Sequence, residues 1–195
     1  NNLSLAEQRA ENEITRLQST RDSLGNDADA RRTALQRARQ QANTLGIRTM
    51  VHAHSPESIK ASVNAGCQQI EHGVFANEEV LKLMADKGVW LSSQPFIDET
   101  DNAPMTGQSR INLLQVLAGT PTMYGYAKKY GIKTAWGSDL LFSSEVAERQ
   151  GVLLTHMSRW YSNAEALRMA TSGNAELLAL SGPRDPYPGK LGVIE

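Results

Sequence analysis

Only one cysteine, Cys67, occurs in the 195 residues. No intrachain disulfide can form and a cysteine-built zinc module is excluded, which points to a reducing compartment such as the cytoplasm. No apolar run approaches the roughly 20 residues that span a bilayer. The opening NNLSLAEQRAENE lacks the basic-then-apolar profile of a signal peptide. Neither sign of charge dominates: the formal net charge is −1. No nucleic acid and no membrane surface is therefore expected as a partner. Residues 1–45 contain no histidine, proline, tryptophan, tyrosine, phenylalanine or valine. The first histidine is His52 and the first lysine is Lys60.

What that early stretch does contain is arginine, glutamate, aspartate, glutamine and alanine, a composition that favours helix. Leu3, Ala10, Leu17 and Leu24 recur every seven residues, with Ile14 on the intervening seam position. Polar Glu7 and Arg21 interrupt the seam, so a coiled coil is poorly supported. LGND at residues 24–27 reads as a stop, a turn and a new helix start. The expectation is an α-helical hairpin whose second helix runs from about Asp27 to Thr44. Nothing in it looks catalytic.

From Gly46 the rhythm changes. IRTMVHAH, CQQIEHG, VWLSSQP and IKTAWGSD each read as a strand. Between them lie PESIKASVNAG, helical from Pro56, and ANEEVLKLMADKG, with Asn77 as N-cap and Gly88 as stop. A polar loop to about Gly107 and a long helix ending near Tyr130 follow. Helices are expected at 144–160, 164–170 and 175–180, then a proline-rich tail with at most one short strand. Strands alternating with helices at this spacing indicate βαβ units around a parallel sheet, an α/β fold.

In such a sheet all C-terminal strand ends share one face. His52 and His54 end the first strand, His72 the second and Asp139 the fourth, so ligand-type groups from distant positions meet at one rim. His52 and His54, two apart, point to the same side. Two imidazoles and a carboxylate, with a position left for water, make a common catalytic zinc set. Each residue also has an ordinary alternative. A strand-end histidine is often a satisfied core or capping group, Asp139 can cap a turn, and His156 reads as structural. Gln68, Gln69, Trp90 and Trp136 can be packing residues as easily as contacts, and Cys67 fits a small buried core position.

VHAHSPESIKASVNAGCQQIEHGVF, TAWGSD and EALRMATSGNAELLAL, in that order, resemble the metal-dependent amidohydrolase superfamily, in its imidazolonepropionase-like and Xaa-Pro or Xaa-Arg dipeptidase-like branch. The resemblance covers roughly residues 30–195. It implies a partial (β/α)8 TIM-like barrel, strands five to eight, over 31–182, preceded by a helical segment 1–30 and followed by a tail 183–195 running toward a truncated β-sandwich domain. It implies a divalent metal, zinc first, held by His52, His72 and Asp139. It also makes Asp139 the catalytic proton acceptor, and gives His54 no ligand role but a place either behind the ligands or facing the substrate. The family's first-strand His-x-His and fourth-strand lysine have no counterpart here, which leaves one metal site.

Two functions follow from these residues. One is hydrolysis of a C–N bond in a small-molecule amide, dipeptide or cyclic amide by metal-activated water, with the 93–108 loop (Gln94, Asp98, Asp101) and the 138–146 loop shaping the pocket. The alternative is a catalytically silent barrel fragment acting in assembly or metal binding only. Four parallel strands leave two open edges, so a homo-oligomer or another partner is expected to cover them.

Overall fold

In a computed structural model of the chain, the backbone is described for residues 2–140, 143–187 and 189–193. Two compact units divide at Ala38 and Arg39. The first is helical throughout, being most of α1, Asn2–Thr44. The expected hairpin is not formed: α1 runs through LGND without a turn. One glycine in a helix costs only about 1 kcal/mol, and the arginine, alanine and glutamine around it are strong helix formers. Local ion pairs such as Glu13–Arg16 at 2.6 Å and Asp27–Arg31 at 2.7 Å line its surface. Leu17 is exposed, while the side chains of Leu3, Ala10, Ile14 and Leu24 lie outside the described residues.

The second unit is an α/β layer. Its strands are β1 (Met50–Ala53), β2 (Gln69–His72), β3 (Trp90–Ser93) and β4 (Thr134–Trp136), all parallel and in sequential order. The connecting helices are α2 (Pro56–Asn64), α3 (Glu78–Asp86) and α4 (Gly107–Lys129). Ser55 caps α2 by accepting from the Ser58 N–H at 3.2 Å. Asn77 caps α3 by accepting from the Val80 N–H at 3.0 Å, as its position before EEVL suggests.

Alternation divides the sheet into two faces. Val51, Ala53, Ile70 and Leu91 share one, and pack on Ile59 and Val63 of α2, Val80 and Met84 of α3, and Met123 and Tyr124 of α4. The opposite face carries Met50, His52, Gln69, Glu71 and Trp90. Trp90 and Ala135 there form a second, smaller cluster with Leu177. Helix α4 approaches the β2 end closely: a Cβ at Gly119 would stand 2.4 Å from the Val74 carbonyl oxygen. Only glycine fits at that position.

Beyond β4 the expected helix over 144–160 is broken into α5 (Ser144–Ala147), α6 (Gln150–Thr155) and a 3-10 turn. Then α7 (Asn163–Arg168) and α8 (Asn174–Ala179) form one rod joined by a π-helical segment, Met169–Gly173. That rod lays Asn174 beside β4. Its side-chain oxygen accepts from the Trp136 N–H at 3.1 Å, and its amide nitrogen donates to the Trp136 carbonyl at 2.9 Å. The tail holds one 3-10 turn, Gly182–Arg184, and no strand among the described residues.

Candidate functional site

His52 lies within β1 and His54 just past its end. Both rings lie against His72, each with its centroid 4.8 Å from that ring. His54 lies nearly parallel to it, at 5°. His52 Nδ1 and His72 Nε2 are 2.7 Å apart, within hydrogen-bonding distance. The other ring nitrogen of His72, Nδ1, is 2.9 Å from Gln94 Oε1. Partial burial, then the nearby His72 and His52, hold the His54 imidazole below its usual pKa.

Backbone geometry singles out the same place. Among the described residues, the non-glycine positions with positive φ are His72, at 69°, and Asp139, at 51°. Such conformations cost an L-residue roughly 1–2 kcal/mol and cluster at functional sites. At His72 the turn is held from β3, where the Ser93 hydroxyl donates to the His72 carbonyl at 2.7 Å.

His54, His72 and Asp139 line a common cleft of about 420 Å³ above the strand ends. Its far wall comes from the segment after β3 and the first turns of α4, with Phe96, Met105 and Leu113 as apolar surface and Asn112 as a polar group. Asn102 also lines it, and its amide nitrogen is buried without a hydrogen-bond partner. Apart from the histidines and Asp139, no lining residue is ionisable. This wall was not read from the sequence.

Other expected positions divide. Gln94 lines the cleft, but its side chain is turned to His72. Asp98 and Asp101 do not line it and are structural. The Asp98 carboxylate caps a 3-10 turn at Thr100. The buried Asp101 carboxylate accepts the Ile97 and Asp98 N–H groups, both at 2.9 Å. His156 braces this turn, 3.5 Å from Asp101 Oδ2, in the structural role expected of it. Cys67 is buried, and burial pushes its thiol pKa up. Of the 138–146 loop, Asp139 lines the cleft, while residues 141 and 142 lie outside the described residues.

Two imidazole nitrogens that converge on one point, one of them backed by a buried acceptor, make two corners of a metal site. Zinc–nitrogen bonds of about 2.0 Å at a tetrahedral angle set ligand nitrogens roughly 3.3 Å apart. The observed 2.7 Å is instead a hydrogen-bond spacing between the same two side chains. Among the described residues no three His, Cys, Asp or Glu side chains gather closely enough to enclose an ion. The donor types suit a two-ligand edge, but the two nitrogens would have to part by roughly 0.6 Å to take an ion between them.

Comparison with known proteins shows the family. The chain is 28% identical over 151 residues to ochratoxinase of Aspergillus niger, covering 72% of this chain and 29% of that protein. A solved prolidase bound to N-methylphosphonate-L-proline superposes with a TM-score of 0.70 at 26% identity, over 83% of this chain and 38% of that one. A Xaa-Pro dipeptidase holding methionine in its active site gives 0.65 at 25%, over 83% and 39%. The chain thus spans under a third of the curated relative and under two fifths of these solved structures. The model of the Amidohydrolase family matches residues 17–183, a span that takes in all four strands, both converging histidines and Asp139, and the chain belongs to that family.

Proposed function

We propose that this chain carries part of the active site of a metal-dependent hydrolase that cleaves a C–N bond in a small amide or dipeptide. The observation that carries the reading is the contact of His52 Nδ1 with Nε2 of His72, a residue that lines the same cleft as Asp139. In this reading β1–β4 stand for strands five to eight of a (β/α)8 barrel, and the tail from 183 runs toward a further domain. His52 and His72 hold a divalent ion, zinc by preference for imidazole and carboxylate donors, with Asp139 as third donor. When bound, the ion activates water and polarises the scissile carbonyl.

The chain's own residues do the remaining work. The Asp139 carboxylate accepts a proton from the attacking water and returns it to the nitrogen of the departing amine, so that C–N cleavage leaves a carboxylic acid and an amine. His54, stacked on His72, faces the substrate. Ochratoxinase and prolidase, by their names, support a small amide or dipeptide as the substrate class.

A second reading is metal binding without turnover, alone or within an assembly. It is favoured by the two-ligand edge, since no third ligand closes on the histidines among the described residues. Metal content by elemental mass spectrometry and a dipeptide panel, applied to the chain and to His72→Ala, separate the two. Stoichiometric zinc lost in His72→Ala, with hydrolysis in the panel, supports the hydrolase. Zinc without hydrolysis supports the second reading. No zinc in either protein after zinc addition removes the metal from both.

A further inference from the structure

The end of β3 holds His72 at two points. Ser93, wholly buried, donates its hydroxyl to the His72 backbone carbonyl at 2.7 Å. The next residue, Gln94, is 5% exposed and sets its side-chain oxygen 2.9 Å from His72 Nδ1. An amide oxygen only accepts, so this contact requires the ring proton on Nδ1. A neutral imidazole carries one such proton, which leaves Nε2 as a bare lone pair. The 2.7 Å contact of that nitrogen with His52 Nδ1 must then take its proton from His52.

We propose that Gln94 is a positioning residue: it fixes the tautomer and ring plane of His72, so that Nε2 stands unprotonated toward His52. The polarity runs in one direction, His52 N–H to His72, then His72 N–H to Gln94; for His52 Nδ1 to act as a ligand its proton must first move to the other nitrogen of the same ring. Without the Gln94 acceptor, nothing at Nδ1 favours the proton there. Nε2 is the nitrogen more often protonated in a free imidazole, and a protonated Nε2 is useless as a ligand. The inference on the tautomer stands on the hydrogen bonds alone. Its consequence for metal affinity rests on the reading of His72 as a ligand.

The test uses the full chain labelled with ring-¹⁵N histidine, at about pH 8.5, roughly two units above the ordinary imidazole pKa. Long-range ¹H–¹⁵N correlation is expected to show His72 protonated at Nδ1. Q94L and the closer-fitting Q94M, either of which suffices if the other fails to fold, are expected to move the proton toward Nε2. Q94E, which keeps an acceptor, is expected to preserve Nδ1–H. Zinc affinity by competition titration is expected to fall 10- to 100-fold in Q94L or Q94M and to be restored in Q94E. A His72 protonated at Nε2 in the unaltered chain, or an unchanged tautomer in Q94L and Q94M, overturns the proposal. If the unaltered chain binds no zinc but the tautomer shifts as stated, the positioning role stands and the metal reading falls. Equal zinc binding and an unchanged tautomer in all variants give the reverse.

Discussion

His52 and His72 touch at 2.7 Å although the ladder assigns them to opposite faces of the sheet. His52 pairs with Glu71, and His72 pairs with Ala53, whose side chain belongs to the helix-covered face. The left-handed backbone at His72, φ 69°, turns its ring out of that alternation and across to His52. The contact therefore depends on a conformation that histidine adopts at a cost.

That cost can be separated from the chemistry. His72→Gly and His72→Ala both remove the ring, but only glycine occupies φ near 69° freely. His72→Gly is expected to be more stable than His72→Ala by about 1 kcal/mol, with zinc binding lost equally in both. Urea unfolding of the two variants measures the difference. Equal midpoints would mean that the segment relaxes to another conformation in the alanine variant.

Gly119→Ala tests the close approach of α4. Its Cβ would meet the Val74 carbonyl oxygen at 2.4 Å and Phe75 Cδ1 at 3.3 Å. Overpacking of this kind costs about 1–3 kcal/mol, despite the gain in helix propensity. Because Val74 and Val116 line the cleft, the shift of α4 is also expected to weaken ligand binding there. Urea midpoints and small-amide titrations report the two effects.

Asp101→Ala is expected to destabilise the chain by about 2–3 kcal/mol, since two backbone N–H groups and His156 lose a buried carboxylate. Asp101→Asn keeps one acceptor oxygen and is expected to cost less. Proteolysis of the 97–106 segment should rise in the same order, which limited digestion followed by mass spectrometry can read.

The alkaline limit of stability is expected to come from tyrosine. Burial first, then the neighbouring Tyr161, pushes the Tyr124 phenol far above its ordinary range, and burial likewise raises Tyr161. Above about pH 10 the unfolded chain releases these protons while the native chain keeps them. Their contribution is thus intact below about pH 10 and falls as pH rises, by up to about 1.4 kcal/mol per pH unit for each ring. Tyr161→Phe is expected to flatten that decline in urea midpoints. Its effect on neutral-pH stability is expected to be small, because the Tyr161 hydroxyl is buried with no well-formed hydrogen bond among the described residues and only Thr134 near it.

The strands and their common rim were legible because β-branched and apolar runs end in His52, His72 and Asp139, and because parallel topology sends those ends to one side. The cap Asn77 was equally local. LGND misled because turn residues state a preference of about 1 kcal/mol each, and the helix formers on both sides outweigh it. The roles of Gln94 and Asp101 were not legible. Both are polar residues after the same strand, and only the packed structure shows that one turns to a histidine and the other to its own loop.

Asn174 gives the sheet a direction of growth. At Trp136 both outward peptide groups of β4 are occupied by one side-chain amide, which stands where the backbone of a fifth strand would pair. A strand added on that side must first displace Asn174 and give up two hydrogen bonds before it gains any there. Among the described residues, the opposite edge, along β1, carries no such side-chain plug. Adding a further strand therefore costs fewer existing hydrogen bonds next to Met50 and His52, and a segment arriving there would lie near the imidazoles.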